Sequence, residues 1–158
     1  MVPRYSRPQM TAIWSPANRF RIWFEIEALA CEAMAQRGDI PAESAKTIRE
    51  KGDVAMAAFS DADLARIDEI EAETRHDVIA FLTWLAEKVG PDSRFMHLRM
   101  TSSDVLASCP SVHMTQAADL FLVVRDSALA APKYTAYQSR QMVTNLRPHW
   151  MTTQPTRS

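Results

Sequence analysis

The chain has 158 residues, 47% hydrophobic and 23% charged, with a formal net charge of −1. That length supports one domain with a real core, and the charge excludes a global field that would draw nucleic acid or an anionic membrane. No stretch approaches the roughly eighteen apolar residues of a membrane span, Met1–Met10 has no apolar segment behind its arginines and so is not a secretory signal, and two distant cysteines without a CxxC pair suit a reducing, cytoplasmic setting.

Three glycines, against many Ala, Glu, Arg, Leu and Met residues, favour helices over a turn-rich β fold. Residues 1–14, with Pro3 and Pro8, read as an extended arm. Ser15-Pro16 is a helix start, with Ser as N-cap and Pro in the first turn. Phe20, Trp23, Glu27, Ala30 and Met34 then line one side, with Ile22, Ile26, Leu29 and Ala33 beside them. That helix should reach about Arg37 and stop at Gly38. A short helix is expected from about Ala42 to Lys51, ending at Gly52, with 53–60 a loop. Ser60 and Asp63 have capping-box spacing before a helix marked by Leu64, Ile67 and Ile70. A second apolar series, Val78, Phe81, Leu82, Leu85 and Val89, closes at Gly90-Pro91. Thr101 to Asp104 can cap a third long helix with Val105, Leu106, Val112, Leu120 and Val124 on its buried side. Pro110 should kink that helix or delay its start, and the pattern weakens from Pro132. Trp14, Trp23 and Trp84 are expected in the core, and Cys31 and Cys109 as buried small hydrophobes. His113 is expected at the surface or hydrogen-bonded.

Three polar clusters interrupt this pattern: Arg4-Tyr5-Ser6-Arg7, Thr74-Arg75-His76-Asp77 and Thr101-Ser102-Ser103-Asp104. Each has a bland reading as a solvated arm, an exposed turn or a cap. Each also has a functional one. Arginine presents a fixed fork of donors to phosphate or carboxylate. A helix N-terminus is an anion site. Histidine beside an acid can move a proton near neutral pH. Together they suit an anionic substrate with several phosphate and carboxylate groups. The histidines show no HxxxH or HExxH spacing, so a metal site is not expected, and GxGxxG, P-loop and GxSxG motifs are missing.

Four of these stretches resemble the adenylosuccinate lyase family. Arg4-Tyr5-Ser6-Arg7-Pro8-Gln9-Met10 with Ile13-Trp14 is similar to the family's RYSRPEM followed by IW. Trp23 to Ala33 is similar to W-x-E-x-E-x-x-A-C-E-A, Glu71 to Phe81 to the family's T-R-H-D-V segment, and Met100 to Val105 to its T-S-S/T-D-V segment. They stand in family order, with several extra residues in 52–64. The resemblance implies an all-α fold of the fumarase/aspartase superfamily: residues 1–106 as the N-terminal helical lyase domain, 107–145 as the start of the central helical bundle, and 146–158 as a degenerate, disordered tail. It implies β-elimination of fumarate from adenylosuccinate and from succinyl-aminoimidazole-carboxamide ribotide, without cofactor or metal, in a homotetramer whose sites are shared between subunits.

Residue by residue, the resemblance places Arg4 and Tyr5 at the nucleotide. Arg75, His76 and Asp77 fall on the substrate-binding segment, with His76 assisting the acid. Thr101 and Ser102 fall at the succinyl carboxylate, and His97 on the phosphate side. His149 falls on the general acid, in a segment where Leu146 and Trp150 replace glycines and Pro148 takes a hydroxyl position. Arg99 stands where the family has glycine. The family's loop with its catalytic serine falls beyond residue 158, so the expectation is a fragment inactive alone. The alternative is a non-catalytic helical module that binds nucleotide weakly or pairs with full-length lyase subunits. A lyase of another branch, such as one acting on argininosuccinate, is disfavoured by the opening arm and by the context of Arg75-His76-Asp77.

Overall fold

The computed structural model describes residues 3–140, 143–146 and 154–157, with side chains for 4–130 and 132–140. A 3₁₀ turn at Pro3–Tyr5 leads into α1 (Pro8–Ile13), α2 (Pro16–Gln36), α3 (Ala42–Ala57), α4 (Asp61–Thr74) and α5 (Asp77–Val89). A second 3₁₀ turn, Pro91–Phe95, precedes α6 (Ser102–Ser139). Two short strands follow, β1 (Val143–Leu146) and β2 (Gln154–Arg157), paired antiparallel from Val143 with Arg157 to Leu146 with Gln154. β1 falls mostly at the end of the stretch expected as bundle helix and β2 in the stretch expected as tail, and only backbone pairing describes them. The chain divides into two compact units, Met1–Ala117 and Ala118–Ser158.

Local chemistry sets most boundaries. Ser15 accepts from the Asn18 N–H as N-cap of α2, and the helix ends before Gly38 at φ +78°. Ser60 and Asp63 form the expected capping box, with the Ser60 N–H and hydroxyl both donating to Asp63 Oδ2. Burial alone would raise the Asp63 carboxyl. The hydrogen bonds from Ser60 and from Trp84 Nε1, with the charge of Lys88, outweigh it and hold the group below its usual range. A depressed carboxylate stabilises the fold above the ordinary carboxylate range, and that contribution fades as pH falls through the folded value.

The first unit closes around an aromatic core. Phe20 and Phe81 stack at 5.2 Å between centroids, Trp23 meets Phe81 edge-on at 5.8 Å, and Phe59 meets Trp84 edge-on at 5.3 Å. Ile48, Ile67, Leu85, Val89 and Val105 are fully buried around them. Removing one such large aromatic typically costs about 3–5 kcal/mol. Trp23 and Trp84 take their expected places, and so do both cysteines. Trp14 does not. It is 45% exposed at the end of α1, with its ring 5.1 Å from that of His113. Leu29 is 52% exposed, because it projects from α2 away from the stripe formed by Phe20, Trp23 and Glu27.

The longest departure lies in α3, which does not stop at Gly52 but continues to Ala57, leaving only 58–60 between helices. Gly52 is buried, and a Cβ there would fall inside the ring of Phe24 on α2. The glycine lets two helices approach closely. We expect Gly52→Ala to lower stability by about 1–3 kcal/mol through overpacking, despite the gain of about 1 kcal/mol in helix propensity. Urea unfolding of the chain measures this, and an unchanged or higher stability would refute it.

Val105, Cys109 and His113 of α6, four residues apart, are its buried positions in the first unit. Leu106 and Val112, one step around the helix, are exposed rather than buried. Neither Pro110 nor Pro132 interrupts α6. Both sit on its exposed side, where water can serve the carbonyls that a proline leaves unpaired. In the second unit Leu120 and Val124 are half-buried, while Phe121, Val123 and Leu129 are exposed.

Candidate active site

Arg7, closing the first polar cluster, is the N-cap residue of α1, and the other two clusters are helix starts as well. At the first of these two, α4 ends on Arg75 in the left-handed conformation (φ +51°), its N–H donating to Glu71 O at 2.8 Å. His76 follows as N-cap of α5, with Nδ1 accepting from the Ile79 N–H at 3.4 Å. Asp77 Oδ1 takes the Val78 N–H at 2.8 Å and lies 3.5 Å from His76 Nδ1. The two contacts of Nδ1 make opposite demands, since the cap requires an unprotonated nitrogen and the ion pair a protonated one. Thr74 Oγ1 donates to Ile70 O and lies 3.3 Å from His76 O, which ties the turn together. The Arg75 guanidinium makes no ion pair among the described residues and lines an open depression with Asp68, Glu71 and Ala72. The cluster is therefore a cap, as the bland reading has it, and it presents an arginine and an exposed imidazole at a helix N-terminus.

At the second, Asp104 Oδ2 accepts from the Thr101 N–H at 2.8 Å and its hydroxyl at 3.0 Å, tying Thr101 to the first turn of α6. The backbone and side-chain hydrogen bonds from Thr101 hold the Asp104 carboxyl below its usual range. Ser102 opens the helix half-buried. At the chain's start, Arg4 lies over the Tyr5 ring at 4.8 Å, and Tyr5 is 77% exposed. No hydrogen bond or ion pair among the described residues joins Arg4-Tyr5, Arg75-His76-Asp77 and Thr101-Ser102 to one another. His149 lies outside the described residues.

His97 is the most constrained candidate. Its backbone is left-handed (φ +59°), and so is that of Arg99 (φ +60°). For residues with a Cβ such positions cost on the order of 1 kcal/mol each, and they are characteristic of functional turns. Glu27, fully buried on α2, holds this turn: Oε2 accepts the His97 N–H at 2.7 Å and Oε1 lies 2.6 Å from Nδ1. Burial, with Glu27 and Glu32 close by, pushes the Cys31 thiol beside this pair up to about 11. By spacing alone Glu27 falls on the apolar stripe of α2, where no role is expected of it. The signal was there: a carboxylate among Phe20, Trp23 and Ala30 needs a buried partner.

His113 is buried rather than exposed, and its Nε2 finds no hydrogen-bond partner. Its Nδ1 lies 3.8 Å from Cys109 Sγ. Burial, with Arg19 nearby, lowers its pKa and keeps it neutral. Among the described residues no group of three or more His, Cys, Asp or Glu could hold a metal, and no helix is long and apolar enough to cross a membrane.

No family model matches the chain. Curated proteins do. The chain is 40% identical over 156 residues to an adenylosuccinate lyase of Bacillus subtilis, covering 99% of this chain and 34% of that protein. It is 44% identical over 120 residues to the adenylosuccinate lyase of Staphylococcus saprophyticus, covering 76% and 26%. To that of Synechocystis it is 39% identical over 155 residues, covering 98% and 34%. The chain thus spans about a third of the length of the relatives it matches. Among solved structures, a fumarate lyase from Mesorhizobium superposes with a TM-score of 0.79 at 18% identity, over 96% of this chain and 36% of that one. A β-carboxy-cis,cis-muconate cycloisomerase from Acinetobacter calcoaceticus superposes with 0.76 at 20% identity, over 94% and 35%. These two likenesses speak to the fold alone.

Proposed function

Because the chain is homologous to the adenylosuccinate lyases across the N-terminal third of their length, we propose that it is the substrate-binding third of such a lyase. The reaction is elimination of fumarate from adenylosuccinate, and from the succinylated aminoimidazole-carboxamide ribotide, in purine biosynthesis. The observation that carries this is 40% identity along 99% of the chain. The site residues support it chemically. Arg4 and Tyr5 contact the nucleotide. Arg75 and the N-terminus of α5 take anionic groups, and His76, beside Asp77, assists proton transfer to the leaving nitrogen. Thr101 and Ser102, at the start of α6, hydrogen-bond the succinyl carboxylate as its α-proton is removed and negative charge builds there. His97 faces the phosphate, and His149 is the acid. The working enzyme is a cytoplasmic homotetramer whose sites are shared between subunits.

A chimera tests the reading. Residues 1–117, the first compact unit, replace the corresponding part of the Bacillus subtilis lyase, and fumarate release from adenylosuccinate is followed. Turnover on the order of 1 per second or faster is expected. A chimera that folds and assembles yet releases no fumarate overturns the proposal.

A further inference from the structure

The contact between Glu27 and His97 is built for more than packing. Glu27 is fully buried, and a carboxylate in such a place is costly unless its oxygens are satisfied. Both are engaged by one residue 70 positions away, Oε2 by the His97 N–H and Oε1 by the ring. An ionised carboxylate only accepts, so with Oε2 taking the backbone N–H the ring is the donor from Nδ1 to Oε1. That decides the chemistry of the other nitrogen, since the partner of one imidazole nitrogen sets the role of its mate. Nε2 is left as the free atom of a ring that is 18% exposed at its side chain. Asp104, at the N-terminus of α6, is close enough to feel a charge on His97. The ring is thus fixed at two levels, by a left-handed backbone and by a carboxylate that engages both the His97 N–H and Nδ1.

We propose that Glu27 is a positioning residue for substrate: it locks His97 as the Nδ1–H form, so that Nε2 is the ligand-facing atom and takes up a proton when a phosphate monoester binds. This rests on the reading of His97 as phosphate-side. In the empty site Nε2 carries a lone pair. On binding, the hydrogen-phosphate form of the monoester gives its proton to Nε2 and becomes the dianion, and the imidazolium lies between the Glu27 carboxylate and the phosphate, donating to both. Glu27 supplies no bond to the substrate. Its contribution is to stabilise the cation and to aim it, as a carboxylate behind a ligating histidine does at metal centres.

The test uses the 158-residue chain labelled with ¹⁵N, the His97 signals being identified by their loss in His97→Asn. Two-bond ¹H–¹⁵N correlations report which ring nitrogen carries the proton. The wild-type ring should be protonated at Nδ1 alone, and addition of inorganic phosphate should move Nε2 into the imidazolium range. In Glu27→Gln the amide oxygen takes the backbone N–H and the amide NH₂ donates to Nδ1. The tautomer should then switch to Nε2–H, and phosphate should bind about ten- to a hundredfold more weakly, the loss of one charge-assisted hydrogen bond. His97→Asn guards against a folding failure in Glu27→Gln. Its amide keeps a donor where Nδ1–H was, so its melting temperature should stay near wild type, while the rise that phosphate gives to the wild-type melting temperature should vanish. A wild-type ring protonated only at Nε2, an unchanged tautomer in Glu27→Gln, or no response of Nε2 to phosphate overturns the proposal. Turnover by the chimera bears on the lyase reading and the tautomer on this one, so the two can fail separately.

Discussion

Changing His76 to alanine in the chimera is expected to slow fumarate release by about 10²–10⁴-fold, the range for a residue in acid–base work. The residue is well placed to show such an effect cleanly. It is exposed, it caps α5 only through a long 3.4 Å contact, and it sits outside the aromatic core. Losing that cap costs at most about 0.5–2 kcal/mol of stability. A second variant separates the two roles. Asparagine is a strong N-cap and can accept from the Ile79 N–H as Nδ1 does, but it cannot exchange a proton near neutral pH. His76→Asn should therefore restore the melting temperature without restoring the rate. Activity within about threefold of the parent chimera in His76→Ala, or recovered activity in His76→Asn, would remove His76 from the chemistry.

The 158-residue polypeptide by itself should give no measurable turnover of adenylosuccinate. Elimination needs an acid and a base held around one succinyl group, and each is worth about 10²–10⁴ in rate. Holding the reactants in place is worth still more, up to roughly 7–11 kcal/mol of the barrier. In the first unit the candidate groups lie at the surface. Tyr5 is 77% exposed, His76 stands at an open helix junction, and the Arg75 depression is open to solvent. Water there competes for every hydrogen bond and screens every charge that the transition state would use. The measurement is loss of adenylosuccinate absorbance together with appearance of fumarate. A rate on the order of 1 per second would sink both this expectation and the assignment of roles to these residues.

What the sequence determined by itself is what short-range chemistry decides. Ser15-Pro16, the Ser60–Asp63 box, Gly90-Pro91 and the Thr101–Asp104 contact each complete their hydrogen bonds within four residues, so their meaning is written locally. The apolar spacing of α5 likewise fixed its buried face, that of α2 did so only in part since Leu29 is exposed and Phe24 buried, and the motifs of the first 105 residues pointed to the lyase family. Three features were beyond that reach. Gly52 carries the same local signal as a helix stop, and only the ring of Phe24 on another helix shows it to be a point of close approach. Trp14 is as apolar as Trp23, yet its place at the end of a six-residue helix leaves it half in solvent against His113. Glu27 reads as a flaw in a hydrophobic stripe until the chain brings His97 to it across 70 residues. The physical reason is common to all three. Caps and turns satisfy backbone groups with near neighbours, whereas a buried charge or a missing side chain has meaning only through the partner that tertiary packing delivers.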